Sequence, residues 1–177
     1  PVLLASKADE MERWLASAAG HQLRANTELD LCNKGVGSKG ATAIAEVLKT
    51  NRVLQTLDLS NNNVGDAGAA ALFGSGAPLR VLNLGANAIT TVPATLRGLT
   101  RLEELYLNNN KLVSVDGAIV ALEGTLRKID LSGNGDTLLQ PPAPYARNFG
   151  GPIIDEGFPG DPNQPIDMLF RYFREEK

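Results

Sequence analysis

The chain has 177 residues, a net charge of −3, 43% apolar residues and 21% charged residues. That length suits about one domain, and the composition excludes bulk disorder and a polyanion-binding protein driven by overall charge. No apolar run approaches the roughly 18 residues that a membrane-spanning helix needs.

At the start, Ser6-x-x-Asp9 reads as a capping-box variant, and Met11, Trp14, Leu15 and Ala18 fall on one helical face. The pattern predicts a helix over residues 7–19, within an N-terminal cap of residues 1–25. His21, the one histidine of the chain, follows it. It has no nucleophile or base nearby in the sequence and reads as a cap contact.

The next segment repeats. Leu54-x-x-Leu57-x-Leu59-x-x-Asn62-x-Val64 recurs as Leu79-x-x-Leu82-x-Leu84-x-x-Asn87-x-Ile89, and again as Leu102-x-x-Leu105-x-Leu107-x-x-Asn110-x-Leu112. Weaker copies begin at Asn26 and Leu126, so five units cover residues 26–134 at spacings of 28, 25, 23 and 24 residues. Leu-x-Leu has period two and predicts a short strand with one buried face. One unit cannot bury its leucines alone, but stacked units can. An amide side chain both donates and accepts, so Asn62, Asn87, Asn110 and Asn134 form a candidate ladder joining the turns of neighbouring units. Lys34 stands at that position in the first unit, and Asp136 breaks the pattern in the fifth.

The return segments differ along the chain. Ile44, Val47 and Leu48 fall at helical spacing within Ala41–Lys49, and Asp66 is expected to cap a helix over Ala67–Leu72. In the third unit Val92-Pro93-x-x-Leu96-x-x-Leu99 predicts a loop or a turn of 3₁₀ helix. The fourth, with Val115, Ile119 and Leu122, is intermediate. Seven of the ten prolines lie between 141 and 165. Beyond them Ile166, Leu169, Phe170 and Phe173 predict a second cap helix, so residues 135–177 read as a Pro/Gly-rich loop and a C-terminal cap.

These motifs resemble leucine-rich repeats. The first two units are similar to the helix-backed repeats of ribonuclease-inhibitor-like proteins, and the later ones to the shorter typical class. The order Gln140-Pro141-Pro142…Ile166-x-x-Leu169-x-x-Tyr172 resembles the C-terminal caps of intracellular Ras-group and Roco-type relatives. The resemblance implies an α/β solenoid: a single domain over 1–177, shaped as a short horseshoe with a parallel concave sheet of about five strands and helical caps. It also implies a non-catalytic, intracellular adaptor or scaffold that binds protein. Modulation of a phosphatase or a small GTPase is the alternative that some intracellular relatives suggest.

Three signals compete with that reading. Gly35-x-Gly37-x-x-Gly40, with Asp58 downstream, imitates a dinucleotide fingerprint. The same glycines recur as Gly65 and Gly68, however, which assigns them to the repeat; a nucleotide-binding enzyme is the remote alternative. Asp155, Glu156, Asp161, Asn163 and Asp167 lack the spacing and the final Glu of a calcium loop. Cys32 is the single cysteine, so neither a disulfide nor a four-ligand zinc site is available. With no Asn-x-Ser/Thr sequon, this points to a cytoplasmic protein without metal or other cofactor.

The strand face opposite the leucines is the candidate binding surface. Its central column is Asp30, Asp58, Asn83, Tyr106 and Asp130; the column two residues earlier is Glu28, Thr56, Val81, Glu104 and Lys128; the edge column is Thr27, Gln55, Arg80, Glu103 and Arg127. From these, Glu28, Asp30, Asp58, Arg80, Asn83, Glu104, Tyr106, Lys128 and Asp130 are the candidate contacts. Tyr106 is the aromatic anchor. The excess of carboxylates suits a protein or peptide partner with a basic segment rather than nucleic acid. Five strands about 4.8 Å apart span only about 20 Å. A standard interface needs about 800 Å² per partner, so the edges or caps must add contact area.

Overall fold

The computed structural model describes Arg13, residues 25–115 and residues 117–134. Apart from Arg13 and Ala25, the two caps expected over 1–25 and 135–177, with His21 and the acidic cluster from Asp155 to Asp167, lie outside the described residues.

Among the described residues, seven short strands and four helices follow one another in a repeating order. Strands β1 (Glu28–Asp30), β2 (Thr56–Asp58), β3 (Val81–Asn83), β5 (Glu104–Tyr106) and β7 (Lys128–Asp130) form one parallel sheet in that order. Strand β1 is followed by helix α1 (Gly37–Leu48), and β2 by helix α2 (Gly65–Phe73). The two later returns are 3₁₀ helices, Ala94–Gly98 and Gly117–Leu122. The described residues therefore form an α/β solenoid of the leucine-rich-repeat fold whose backing thins from α-helix to 3₁₀ helix.

Leucine spacing sets the register. Leu29, Leu57, Leu82, Leu105 and Ile129 pair across the sheet, and Leu57, Leu82 and Leu105 are wholly buried. With Leu54, Leu59, Leu79, Leu84 and Leu107 they form one continuous core rather than separate ones. Each fully buried leucine contributes about 1.5–3 kcal/mol, so the spine supplies most of the drive to stack.

The asparagines hold the turns. Asn87 Oδ1 accepts the backbone N–H of Asn62 and of Val64, both at 3.0 Å, while its Nδ2 donates to the carbonyls of Leu59 and Gly85. Asn62 does the same for Lys34, Val36 and Leu31, and Asn110 for Asn87, Ile89 and Leu84. Asn134 accepts from Leu112 and donates to Leu107. Every one of these amides serves the turn of the unit before it.

Two features depart from expectation. Asp66 does not cap α2: the helix starts at Gly65, Val64 is the N-cap residue, and no side chain caps it. The Asp66 carboxylate instead accepts the Thr90 N–H at 2.7 Å, the Thr90 hydroxyl at 2.6 Å and the Thr91 N–H at 3.2 Å, all from the next unit. Three donors there outcompete a local cap. On the outer side, β4 (Thr91–Val92) and β6 (Ser114–Val115) pair in parallel as a second, two-stranded sheet that the leucine spacing did not announce.

Candidate protein-binding face

The sheet aligns the columns read from the sequence. Asp30, Asp58, Asn83, Tyr106 and Asp130 stand in one register row, and Glu28, Thr56, Val81, Glu104 and Lys128 in the other. The edge column continues the ladder. Gln55 N–H donates to Thr27 O, Arg80 to Gln55, Glu103 to Arg80 and Arg127 to Glu103, at 2.7–2.8 Å. The structure thus brings Glu28, Asp30, Asp58, Arg80, Asn83, Glu104, Tyr106, Lys128 and Asp130 onto three adjacent rows of one sheet.

Tyr106 lies among paired groups. Its hydroxyl donates to Glu104 Oε2 at 2.6 Å, and Lys128 Nζ sits 5.0 Å from the ring centroid, a cation–π distance. Partial burial and donation to Glu104 raise the phenol pKa above 10.0, against the opposing pull of Lys128. Tyr106 is therefore neutral at physiological pH. It is a half-buried ring held in one pose, so little side-chain freedom is lost when a partner covers it.

The carboxylates of the central row have local work. Asp30, Asp58 and Asp130 each accept the N–H two residues on, from Cys32, Ser60 and Ser132, at 2.8–2.9 Å; Asn83 accepts from Gly85 in the same way. These are turns closed by a side chain, which is why Asp or Asn recurs there. Asp58 also accepts from Asn83 Nδ2 at 2.8 Å. The second carboxylate oxygens of Asp30 and Asp130 have no hydrogen bond among the described residues and keep their charge available to a ligand.

Arg80 is less free than the sequence suggests. Its Nε and Nη2 bind both oxygens of Glu103 at 2.9 Å, an edge-on fork between neighbouring units. Arg80 is 53% exposed, so the pair adds little stability.

Leucine spacing overlooked the ground beside that pair. An open groove of about 470 Å³ runs along the entering ends of the strands, lined by Arg52, Arg80, Arg101 and Arg127 among others, with Glu103 as its one carboxylate. Arg52 and Arg101 come from the loops that precede the strands. A reading confined to strand columns does not reach them; marking the two residues before each unit's first leucine would have done so.

The glycine fingerprint serves the fold. Gly37 and Gly65 have φ of 63° and 62° and donate their N–H groups to Asn62 O and Asn87 O in the next unit. The Gly37 amide that the dinucleotide reading would offer to a phosphate is engaged there. Cys32 is half-buried and forms no disulfide among the described residues. Among the described residues no group of three or more His, Cys, Asp or Glu is placed to hold a metal ion, and no helix is long and apolar enough to cross a membrane.

Comparison with known proteins agrees with this geometry. The leucine-rich-repeat family model matches residues 52–112. No curated protein sequence matches the chain. Among solved structures, the actin-binding site 2 of leiomodin-1 is similar with a TM-score of 0.51 at 15% identity, covering 99% of this chain and 92% of that one. A leucine-rich-repeat protein of Leptospira interrogans is similar with a TM-score of 0.48 at 21% identity, covering 66% of this chain. The match spans 34% of the Leptospira protein's length.

Proposed function

We propose that this leucine-rich-repeat protein is a non-catalytic binding module, an adaptor or scaffold that grips a protein segment on the concave face of its sheet. The observation that carries the reading is Tyr106. It stands in the central row, flanked by a cation and a carboxylate that fix it, on strands too short to bend away. Rigid concave faces are the usual contact surfaces of stacked repeats, and a preorganised aromatic is the usual anchor. The spare carboxylate oxygens of Asp30 and Asp130 supply attraction for a basic stretch of the partner. The setting we assign is the cytoplasm, on the single cysteine and the missing sequon. The likeness to leiomodin-1 supports the fold; at 15% identity the partner named for that protein does not carry over.

The test is affinity capture and mass spectrometry with the whole chain, comparing the wild type with the Tyr106→Ala, Glu104→Lys double variant. A protein captured by the first and lost by the second identifies both the partner and the face. The same set of proteins on both would refute the concave-face reading.

A further inference from the structure

We infer that the arginine-lined groove at the entering ends of the strands is a second docking site, and that its occupant is an acidic, Asp/Glu-rich protein segment. Four arginines line it, one at the entry to each of the neighbouring strands β2, β3, β5 and β7, against the single carboxylate of Glu103. Two of them are engaged within the fold. Arg52 donates to the carbonyls of Lys49 and Asn51, and Arg80 is forked onto Glu103. Arg101 and Arg127 are exposed and have no ion pair or side-chain hydrogen bond among the described residues, so their guanidinium groups face the groove uncompensated. A guanidinium presents a planar fork that matches a carboxylate bidentately. At about 470 Å³ the groove is within the usual size of a ligand site.

The charge around the groove selects among anions. The edge row and the central row are three residues apart along each strand, or about 10 Å. Asp58 and Asp130 therefore stand about one Debye length from the arginines. A broad polyanion, such as a duplex or an anionic bilayer, would bring phosphates against that acidic row. A narrow peptide strand would not. The partner that satisfies both rows is one segment with acidic residues toward the arginines and basic residues toward Asp58 and Asp130. This rests on the reading of the sheet face as a protein-binding surface, and it adds the direction in which the partner lies.

Fluorescence anisotropy with the full chain and a labelled Glu/Asp-rich peptide tests the assignment. A neutral peptide, a Lys-rich peptide, vesicles containing phosphatidylserine and a short RNA duplex are the other arms. The acidic peptide is expected to bind and to weaken with added salt. The Arg101→Glu, Arg127→Glu variant should bind it about tenfold or more weakly, since each charge-assisted contact is worth about 1.5–3 kcal/mol. Glu103→Gln, which releases Arg80, should bind it several-fold more tightly. Asp58→Lys should leave or strengthen acidic-peptide binding while weakening that of the Lys-rich peptide. All four sites are solvent-accessible, and a retained cooperative thermal transition checks that the variants fold, with some lowering expected for Asp58→Lys because it gives up the turn bond to Ser60. Binding of the acidic peptide no tighter than the neutral one, indifference to the two arginines, or preference for vesicles or RNA would each overturn the inference. Such a failure leaves the Tyr106 capture experiment standing, so the two readings fail separately.

Discussion

Single side chains do most of the joining between units. Asn87 is wholly buried, and its amide makes four hydrogen bonds to backbone groups. Replacing it by Ala takes this partner from the Asn62 and Val64 N–H groups and the Leu59 carbonyl, each costing about 1–3 kcal/mol when buried and unmatched, while the Gly85 carbonyl keeps the Asn61 N–H. Partial relaxation and water entry reduce the sum, so Asn87→Ala should lose about 3–5 kcal/mol in urea unfolding. Asn87→Asp should be at least as damaging at neutral pH, because a carboxylate cannot donate to Leu59 and Gly85 and brings a charge into the core. Asp66 has the opposite setting. Slight burial raises its pKa, but the Thr90 hydroxyl and the N–H groups of Thr90 and Thr91 outweigh this, and the net pKa lies below 3.8. A depressed carboxylate stabilises the fold above its ordinary value and loses that contribution as pH falls through the folded one. The stability gap between wild type and Asp66→Asn should therefore be full at neutral pH and close below about pH 3.8, as followed by thermal unfolding across pH.

Helices α1 and α2 show what spacing reveals and what it hides. Ile44 and Leu48 lie on the buried face of α1, and helical spacing alone placed them there. The five core strands and the 3₁₀ return of the third unit, marked by Pro93, were equally legible; the fourth return, read as intermediate, is 3₁₀ as well. The outer β4–β6 pairing and the role of Asp66 were not, since both depend on contacts more than 20 residues apart that no local pattern encodes. The same holds at Gly68. A Cβ there would lie 2.7 Å from Val64 Cγ1 and 2.9 Å from the Ala41 Cβ of the neighbouring helix. Helix propensity favours Ala over Gly by about 1 kcal/mol. Overpacking at a well-filled contact costs about 1–3 kcal/mol, so Gly68→Ala should destabilise on balance. A rise in the urea midpoint would show that α1 and α2 can separate at little cost.

Taken whole, the molecule is a stack in which each unit meets only its neighbours, and its charge is sorted across the face rather than along it. For the candidate site, the columns could be read from the sequence because period two fixes which side chains share a face. The groove could not, because it joins residues at the entries of four strands that only the stacking brings together. Reversing Asp58 and Asp130 to Lys should slow association with a captured basic partner and flatten its dependence on salt, in stopped-flow measurements at several ionic strengths. An unchanged rate and slope would remove the steering role. The amide ladder has a further outcome. Every asparagine reaches back to the turn before it, and Lys34 stands at the one position of the series with no earlier turn among the described residues. Shortening the protein is therefore not symmetric. Trimmed from the front, the stack keeps each surviving bend fastened by its successor; cut back to residue 132, it forfeits Asn134, which leaves the Leu112 N–H without its acceptor and the Leu107 carbonyl with Asn110 alone, so unravelling starts from the rear.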